Sequence, residues 1–473
     1  MNNTIRQQQW KRVNKLKKIG LISLASITSV SLIYYYSNKN HFNKDPLSFR
    51  TKAISRKQSQ TQKLPLNDPS YTNQFTPHSI LVTNNDPKLK RFGLLQKVPL
   101  STVSTKYDIK DLLILPSDSQ KSESIGYYID SHGDLYRWDA KNKLDKILSN
   151  YNLTSIKYSN NQIYSLSKDG NIYIFPTNDN QLLTSYYSKS RLPIFNQYYY
   201  NHKIKKVDDD DDNKIVQFDT GKDHLLYINS KGKAYAVPTR TDVETIDQFG
   251  VMDRDESTPL EINKSIDLML LNNELSIKEN KMIPRRITKV ACGESHSMAL
   301  TSNGDILTFG NNKFGQLGHS ILNFNHVNIS FPKQIATRKF KPYGLEANPI
   351  DIFCMANTSF ILLSNNILLS LGDGQSGQLG NNTYKNFQCD PSRVKFEGKI
   401  KSFITNSLSN HALLLDTENQ IWGLGNNSQG QLLMGNHYSQ SKPFKVETLP
   451  SNVDLNNAAV FTSTTASALV LNK

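Results

Sequence analysis

The chain has 473 residues, three cysteines and a formal net charge of +15. The charge is uneven: residues 1–63 carry 13 Lys or Arg and one acid, so the remainder has a net charge of only +3. A near-neutral remainder disfavours a nucleic-acid-binding domain. Cysteines without C-x-x-C spacing disfavour both a structural zinc site and a disulfide framework, so we expect no metal and no cofactor.

The first 36 residues combine a basic segment with an uncharged one. Residues 1–18 contain six Lys or Arg and no acid, and their amphipathic pattern is typical of a mitochondrial targeting segment. A disordered basic tail is the alternative. Residues 19–36 carry no charge and end in three tyrosines, so we predict one transmembrane helix. A secretory signal peptide and a buried helix are its rivals; basic residues on both flanks leave the topology open.

Residues 37–88 are rich in Ser, Asn, Gln, Thr and Pro. Such a stretch has too little apolar content to fold alone, so we predict a polar linker. Two further stretches, residues 178–213 and 239–284, interrupt the repeats described next. The first contains the acidic run Asp208–Asp212, which is typical of a solvated insert. The second has a short apolar run at Ile266–Leu271 that predicts a short helix. Long loops on a rigid scaffold often carry binding surfaces.

A glycine-rich motif of ten residues recurs three times in the second half of the chain. It reads FGNNKFGQLG at 309–318, LGDGQSGQLG at 371–380 and LGNNSQGQLL at 424–433. Each copy follows a strand, a tight polar turn such as Asn303-Gly304, and a returning strand. Weaker units without the full loop lie at 126–138, 156–175 and 221–237, and a half-unit lies at 458–471. Repeats of this period with short strands predict a solenoid or a propeller.

The unfinished last unit favours a closed ring. If an N-terminal segment supplies the missing outer strand, the seventh blade is shared between the two ends of the chain; the strand-like ending at Lys90–Gly93 is the candidate. Closure of this kind leaves only short, protected strand edges. We therefore predict an all-β, seven-bladed propeller over residues 89–473, preceded by a single N-terminal transmembrane helix.

The unit GESHSMALTSNGDILTFGNNKFGQLG, residues 293–318, resembles a repeat of the regulator-of-chromosome-condensation family, which forms seven-bladed propellers. The resemblance is strong over 285–436, moderate over 120–240 and absent before about residue 88. It implies that certain residues are structural repeat positions: His224, Gly293, His296, Gly310, Gly315, Gly318, Gly372, Gly377, Gly380, His411, Gly425 and Gly430. The second copy departs from the pattern, because Asn357–Phe360 lacks the histidine.

The three recurrent histidines could suggest a metal site. Equivalent positions in different blades do not converge on one atom, however, and the resemblance implies that these histidines tie neighbouring blades by hydrogen bonds. Residues 372–377 formally match the dinucleotide motif G-x-G-x-x-G, but that motif needs a following helix in a βαβ unit. No nucleophile elbow or zinc motif occurs, so we predict a non-enzymatic protein with no catalytic residues.

The N-terminal layout resembles that of fungal mitochondrial inner-membrane members of the family, which are implicated in assembly of respiratory complex III, the cytochrome bc1 complex. The resemblance implies a single-pass inner-membrane scaffold that binds respiratory subunits or assembly factors. Residues 19–36 would anchor this scaffold in the membrane. One alternative is guanine-nucleotide exchange on a small GTPase, the family's founding activity. Another is mitochondrial ribosome biogenesis, although we expect no nucleic-acid contact.

Overall fold

A computed structural model describes residues 72–73, 75–76, 79–86, 91–97, 108–115, 125–138, 143–177, 187–189, 198–200, 202–206, 213–240, 247–251, 260–276, 279–320, 327–344, 346–450 and 453–472. They belong to one compact unit, residues 65–473. The predicted targeting segment, transmembrane helix and most of the linker lie outside the described residues. Among the described residues, no helix is long and apolar enough to cross a bilayer. The single membrane helix therefore stays a prediction.

Seven antiparallel sheets form the blades, as the repeats predict. The first strand of each sheet lies innermost and lines a central chamber. The inner strands are β3 (Ile109–Ile114), β7 (Leu153–Ser159), β12 (Ile215–Thr220), β18 (Ile287–Cys292), β22 (Pro349–Met355), β26 (Ile400–Ile404) and β30 (Ala458–Thr462).

The second strands are the most buried, because both their faces pack against neighbouring blades. Five of them are buried along their whole length, namely those that begin at Gly126, His224, His296, His411 and Ser467. The second strands are β4 (Gly126–Asp130), β8 (Gln162–Ser167), β13 (His224–Asn229), β19 (His296–Thr301), β23 (Thr358–Leu363), β27 (His411–Asp416) and β31 (Ser467–Leu471).

The third and fourth strands complete the blades towards the rim. The third strands are β5 (Leu135–Trp138), β9 (Ile172–Pro176), β14 (Ala234–Pro238), β20 (Ile306–Gly310), β24 (Leu368–Gly372), β28 (Ile421–Gly425) and β1 (Ser79–Asp86). The outer strands are β6 (Leu144–Leu148), β15 (Ile266–Asp267), β21 (Ile329–Gln334), β25 (Ser392–Arg393), β29 (Gln440–Lys445) and β2 (Arg91–Lys97). We number the blades 1 to 7 from the inner strands β3 to β30; in the part of the chain that the structure describes, blade 2 has three strands.

Blade 7 joins the two ends of the chain, as predicted. Its strand order is β2-β1-β31-β30, and Leu81 of β1 faces Leu469 of β31 in antiparallel register. The N-terminal segment therefore supplies two strands rather than one. The first of them, Ser79–Asp86, lies within residues 37–88, which we predicted to be a polar linker. The ring therefore begins before residue 89.

Both predicted insertions contain ordered structure. The first includes a hairpin, β10 (Tyr187–Lys189) and β11 (Tyr198–Tyr200). The second includes the outer strand β15, a one-turn helix α1 (Met269–Asn272) and the hairpin β16 (Asn273–Ser276) and β17 (Lys281–Pro284). The short helix lies inside the predicted run at 266–271 except for its last residue.

The hydrophobic core consists of seven clusters, each between two adjacent blades. One cluster, for example, packs Leu226 and Phe249 of the blade 3 region against Val290 and Phe309 of blade 4. A blade therefore buries its apolar side chains only against its neighbours, as in other repeat architectures.

The connections divide between two faces of the disc. Inner-to-second-strand and third-to-outer-strand connections share one face, which we call the glycine-loop face because the three glycine motifs lie there. The tight turns between second and third strands lie on the opposite, turn face. In five blades the last residue of the second strand has a short polar side chain that accepts turn N–H groups: Asp130, Ser167, Asn229, Thr301 and Asp416. Asp416 Oδ1, for example, accepts from Glu418 N and Gln420 N at 2.9 and 2.8 Å.

Candidate functional site

Each of the three recurrent histidines contacts a serine of the next blade. His224 Nε2 lies 3.1 Å from Ser297 Oγ, His296 Nε2 lies 2.9 Å from Ser359 Oγ, and His411 Nε2 lies 3.0 Å from Ser467 Oγ. All six side chains are buried. These bonds cross from blade 3 to 4, from 4 to 5 and from 6 to 7.

The serine hydroxyls fix the proton on each ring. Ser297, Ser359 and Ser467 donate to main-chain carbonyls of the glycine-loop face at 3.0, 2.8 and 2.7 Å. Because each hydroxyl hydrogen is already used, the hydroxyl oxygen accepts and the histidine Nε2–H donates. Burial lowers the pKa of all three histidines to about 3. The rings are therefore neutral at physiological pH.

A blade that has the histidine is followed by a blade that has the serine, and a blade that lacks the histidine is followed by one that lacks the serine. Blade 5 begins its second strand with Thr358, which donates to Asp373 O of its own blade at 2.7 Å, and the serine position of blade 6 is Ala412. Blade 2 has Gln162 at the histidine position, and blade 3 has Leu225 at the serine position. The serines were missed from sequence, although Ser297, Ser359 and Ser467 recur one place after the histidine position.

The histidines do not form a metal centre. They lie at the same position of three different blades, and within the described residues no group of three or more His, Cys, Asp or Glu side chains could hold a metal ion. The cysteines are free; Cys292 and Cys354 are buried, and Cys389 is half-buried. Desolvation raises the pKa of the Cys292 and Cys354 thiols.

The glycines of the repeat lie where side chains would be excluded. Gly293 has ordinary φ, but a Cβ there would come within 2.1 Å of the His296 ring. The other eight all have positive φ, from 63° to 112°: Gly310, Gly315, Gly318, Gly372, Gly377, Gly380, Gly425 and Gly430. The third motif ends in Leu433, which adopts φ 62° without being glycine. Residues 372–377 comprise the last residue of β24 and the loop after it, and no helix follows, so the structural context of a dinucleotide motif is absent here.

The inner strands enclose a chamber of about 330 Å³. One wall carries charged side chains that bond to neighbouring strands. Asp111 accepts from Ile156 N at 2.8 Å, and Lys157 Nζ lies 3.3 Å from Asp219 Oδ1. Lys289 forms an ion pair with Asp351 and lies 4.7 Å from the ring centre of Phe353.

Each of the two lysines of this wall is paired with a carboxylate. Burial raises the pKa of Asp111, while the Asp219 carboxylate raises that of Lys157. Three phenylalanines also line the chamber: Phe353, Phe403 and Phe461. Because each named charge has a partner on an adjacent strand, the geometry links the blades rather than presenting a reactive group.

The two insertions meet beside blades 2 and 3. Lys205 N donates to Asn263 O at 2.9 Å and Ser265 N donates to Lys205 O at 3.0 Å, and the Lys205 ammonium pairs with Glu261. Tyr164 of blade 2 donates to Asn263 Oδ1 at 3.0 Å. The insertions are thus fixed to the blades and to each other.

The hairpin of the second insertion is also held in place. Arg285 donates to the Leu270 and Asn273 carbonyls at 3.2 and 3.0 Å and pairs with Glu274. The hairpin presents Leu275, 63% exposed, directly opposite Met282. Exposed apolar side chains on a rigid insert are typical of contact surfaces.

Comparison with known proteins gives the same architecture. Two models of the regulator of chromosome condensation (RCC1) repeat match residues 287–316 and 303–362. Among solved structures, Prp20p of Saccharomyces cerevisiae superposes with a TM-score of 0.57 at 16% identity, over 85% of this chain and 94% of that one. Human WBSCR16 gives a TM-score of 0.55 at 12% identity, over 84% of this chain and 99% of that one. At such identities the likeness concerns the fold.

A curated relative extends the similarity beyond single repeats. Protein FMP25, mitochondrial, of Saccharomyces cerevisiae is 35% identical over 352 residues. The alignment covers 69% of this chain and 59% of the relative, so the chain spans about three-fifths of that protein's length. Together with the repeat matches and the seven blades, this similarity identifies the chain as a seven-bladed β-propeller that carries RCC1 repeats.

Proposed function

We propose that the chain is a non-catalytic scaffold that acts as an assembly factor in mitochondria, for respiratory complex III. The observation that carries this proposal is the 352-residue similarity to a mitochondrial RCC1-repeat protein. The propeller supports the scaffold role because its blades are joined by hydrogen bonds and ion pairs, so the ring presents its loops at fixed positions. Fixed loops lower the entropy lost on binding a partner. In this proposal the buried neutral histidines and the paired charges of the chamber stabilise the contacts between the blades.

In the same proposal the chain is anchored in the mitochondrial inner membrane. Residues 1–18 direct import, residues 19–36 span the bilayer once and the following polar stretch tethers the propeller. A tether of this kind raises the local concentration of the scaffold near membrane-bound clients, which strengthens binding without new contacts.

The assembly role is tested in mitochondria from cells that lack the chain. Respiratory complexes are separated on native gels, and mitochondrial translation is labelled in parallel. We expect loss of complex III with normal translation. A general fall in translation would instead favour ribosome biogenesis. If both remain normal, the assembly role is wrong, and nucleotide exchange on a small GTPase becomes the function to assay.

The anchor is tested by alkaline carbonate extraction of mitochondria from cells that express either the full chain or a shortened chain. The full chain is expected in the membrane pellet, and a chain that lacks residues 19–36 but keeps residues 1–18 is expected in the supernatant. Recovery of the full chain in the supernatant would contradict the membrane helix.

A further inference from the structure

An aromatic surface lies on the glycine-loop face of blades 4 to 6. It consists of four rings and two lysines, which we call the aromatic belt: Phe314, Tyr384, Phe387, Tyr438, Lys313 and Lys385. The side chains of Tyr384, Phe387 and Tyr438 are 57%, 39% and 58% exposed, and Phe314 is half-buried. Exposed aromatic side chains of this size are costly unless they meet a partner.

The belt is continuous across three blades. The Phe314 carbonyl of blade 4 accepts from Gln388 N, next to Phe387 of blade 5, at 3.1 Å. The Tyr384 hydroxyl of blade 5 donates to Ser439 O, next to Tyr438 of blade 6, at 3.1 Å. Tyr384 and Phe387 belong to one short loop. Three loops that are far apart in sequence therefore form one surface.

The loops under the belt are rigid. In each glycine motif a buried glutamine accepts from the main chain two residues earlier: Gln316 from Phe314 N at 2.9 Å, Gln378 from Ser376 N at 2.7 Å and Gln431 from Gln429 N at 2.8 Å. The neighbouring loops also interlock, since Asn382 N donates to Ser441 O at 2.7 Å. A preformed surface loses little entropy on binding.

The charge of the belt is positive. Lys313 lies 5.7 Å from the ring centre of Phe314, and Lys385 is exposed between Tyr384 and Phe387. The two acids of the loop that carries Tyr384 and Phe387 already have partners: Asp390 pairs with Lys339 at 2.7 Å, and Asp373 accepts from Gln375 N at 3.0 Å. Two exposed lysines among four rings complement an apolar side chain flanked by carboxylates.

We propose that the aromatic belt binds an acidic segment of a protein partner, with an apolar or aromatic side chain anchored between Tyr384 and Tyr438. The proposal rests on the scaffold role and names the chemistry of its client. Tyrosine is enriched among the residues that dominate protein interfaces, and rim charges select the partner. A nucleic-acid strand fits less well, because strands are held by many cations and the belt offers two lysines.

The test uses the full chain in cells, with the photo-crosslinker benzoylphenylalanine replacing Asn386, an exposed residue within the belt that carries none of its rings. Crosslinked segments are identified by mass spectrometry. The matched control carries the crosslinker at Asn303, which is exposed on the turn face. We expect a belt-specific crosslink to a segment with net negative charge and at least one large apolar residue.

Charge reversal shows whether the crosslink depends on the belt. Two exposed charge contacts of about 0.5 kcal/mol each correspond to a change of about fivefold, so K313E with K385E is expected to lower the crosslink yield by at least that factor. Tyr384→Ala with Tyr438→Ala is expected to abolish it without changing the melting temperature, because both rings are exposed. A crosslink to nucleotides or to a basic segment, no crosslink, or one insensitive to both variants would overturn the proposal.

This experiment and the complex III assay fail independently. Normal complex III in cells that lack the chain, together with a belt-dependent acidic crosslink, would leave the belt standing and remove the assembly role. Loss of complex III with no belt-dependent crosslink would leave the assembly role standing and place the client elsewhere on the ring.

Discussion

The His296 side chain shows how single residues hold the ring together. Its Nε2–H donates across the blade boundary to Ser359, whose hydroxyl continues to the Gln316 carbonyl. Both side chains are buried, so neither can exchange this partner for water. A buried polar group that loses its partner is costly, and the same chain of bonds recurs at two other boundaries.

A double-mutant cycle measures this bond. His296→Ala and Ser359→Ala are each expected to lower the free energy of unfolding by about 1–3 kcal/mol, with a coupling energy of about 1 kcal/mol or more between them. Urea unfolding at pH 8 provides the values. His132→Ala, at an exposed turn, is the control and should change stability by less than about 0.5 kcal/mol. Additive losses in the cycle would mean that the two side chains are not coupled.

The buried histidines also make stability depend on pH. In the folded protein their pKa is about 3, whereas an unfolded histidine has a pKa of about 6.5. Below pH 6.5 the unfolded chain therefore binds more protons, and stability falls by up to about 1.4 kcal/mol per pH unit for each histidine until about pH 3. Above pH 6.5 both states are neutral and this contribution is constant.

The slope of stability against pH tests this assignment. The free energy of unfolding, measured in urea between pH 5 and 6, should decrease less steeply in His411→Gln than in the unchanged chain, by about 1.4 kcal/mol per pH unit at most. His437→Gln, at an exposed position, is the control. An equal slope in His411→Gln and the unchanged chain would show that His411 is protonated in the folded state.

At the scale of elements, the glycine loops pack main chain against main chain between neighbouring blades. A Cβ on Gly377 of blade 5 would lie 2.7 Å from the Gln440 carbonyl oxygen of blade 6, and one on Gly315 would lie 2.8 Å from Cys389. The loops are therefore both the turn of one blade and the contact to the next. The turn at Gly304 differs, because its Cβ would meet nothing closer than 3.7 Å.

These two glycines separate conformational strain from close approach. Gly304 and Gly377 have φ of 84° and 83°, so alanine at either position carries the same left-handed strain of about 1–2 kcal/mol. Gly377→Ala additionally forces main chain apart, which costs about 1–3 kcal/mol more. Urea unfolding of the two variants gives the difference directly. Equal losses would show that the loop relaxes freely away from blade 6.

For the whole molecule, closure of the ring depends on β1. Leu81 packs with Leu413 of blade 6, while Ile80 and Val82 pack with Ile109 of blade 1. One strand therefore completes two interblade clusters through its alternating side chains. Asn472, which follows β31, adds a second link between blades 7 and 1: its side-chain amide accepts from the N–H of Ile109 at 3.0 Å and donates to the carbonyl of Ile109 at 3.2 Å.

Two truncations test this closure. A chain that starts at Pro65 keeps the whole compact unit and should unfold at the same temperature as the full chain. A chain that starts at Arg91 lacks β1 and loses three buried side chains worth about 1.5–3 kcal/mol each. Because native domains are stable by only about 5–15 kcal/mol, the second chain is expected to aggregate or melt at much lower temperature. Equal melting curves would show that β1 is dispensable.

Much of the architecture could be predicted because a repeat displays its own period. The glycine motifs, the turn at Asn303-Gly304 and the unfinished unit at 458–471 predicted seven blades, the seventh shared between the two ends, and the sheets confirm this. The pairing of a histidine in one blade with a serine in the next could also have been found from the repeat, since both positions recur in register.

The rest depended on contacts between residues distant in sequence. Ser79–Asp86 lies in a polar stretch, and its pairing with Ser467–Leu471, nearly 400 positions away, identifies it as a strand of the ring. The aromatic belt has no local signature either, because Phe314, Tyr384 and Tyr438 come together only when three blades lie side by side. The sequence by itself determined the repeat and the blades, whose order is local. Tertiary structure decided where the ring closes and which loops share a surface, because both arise from packing between units.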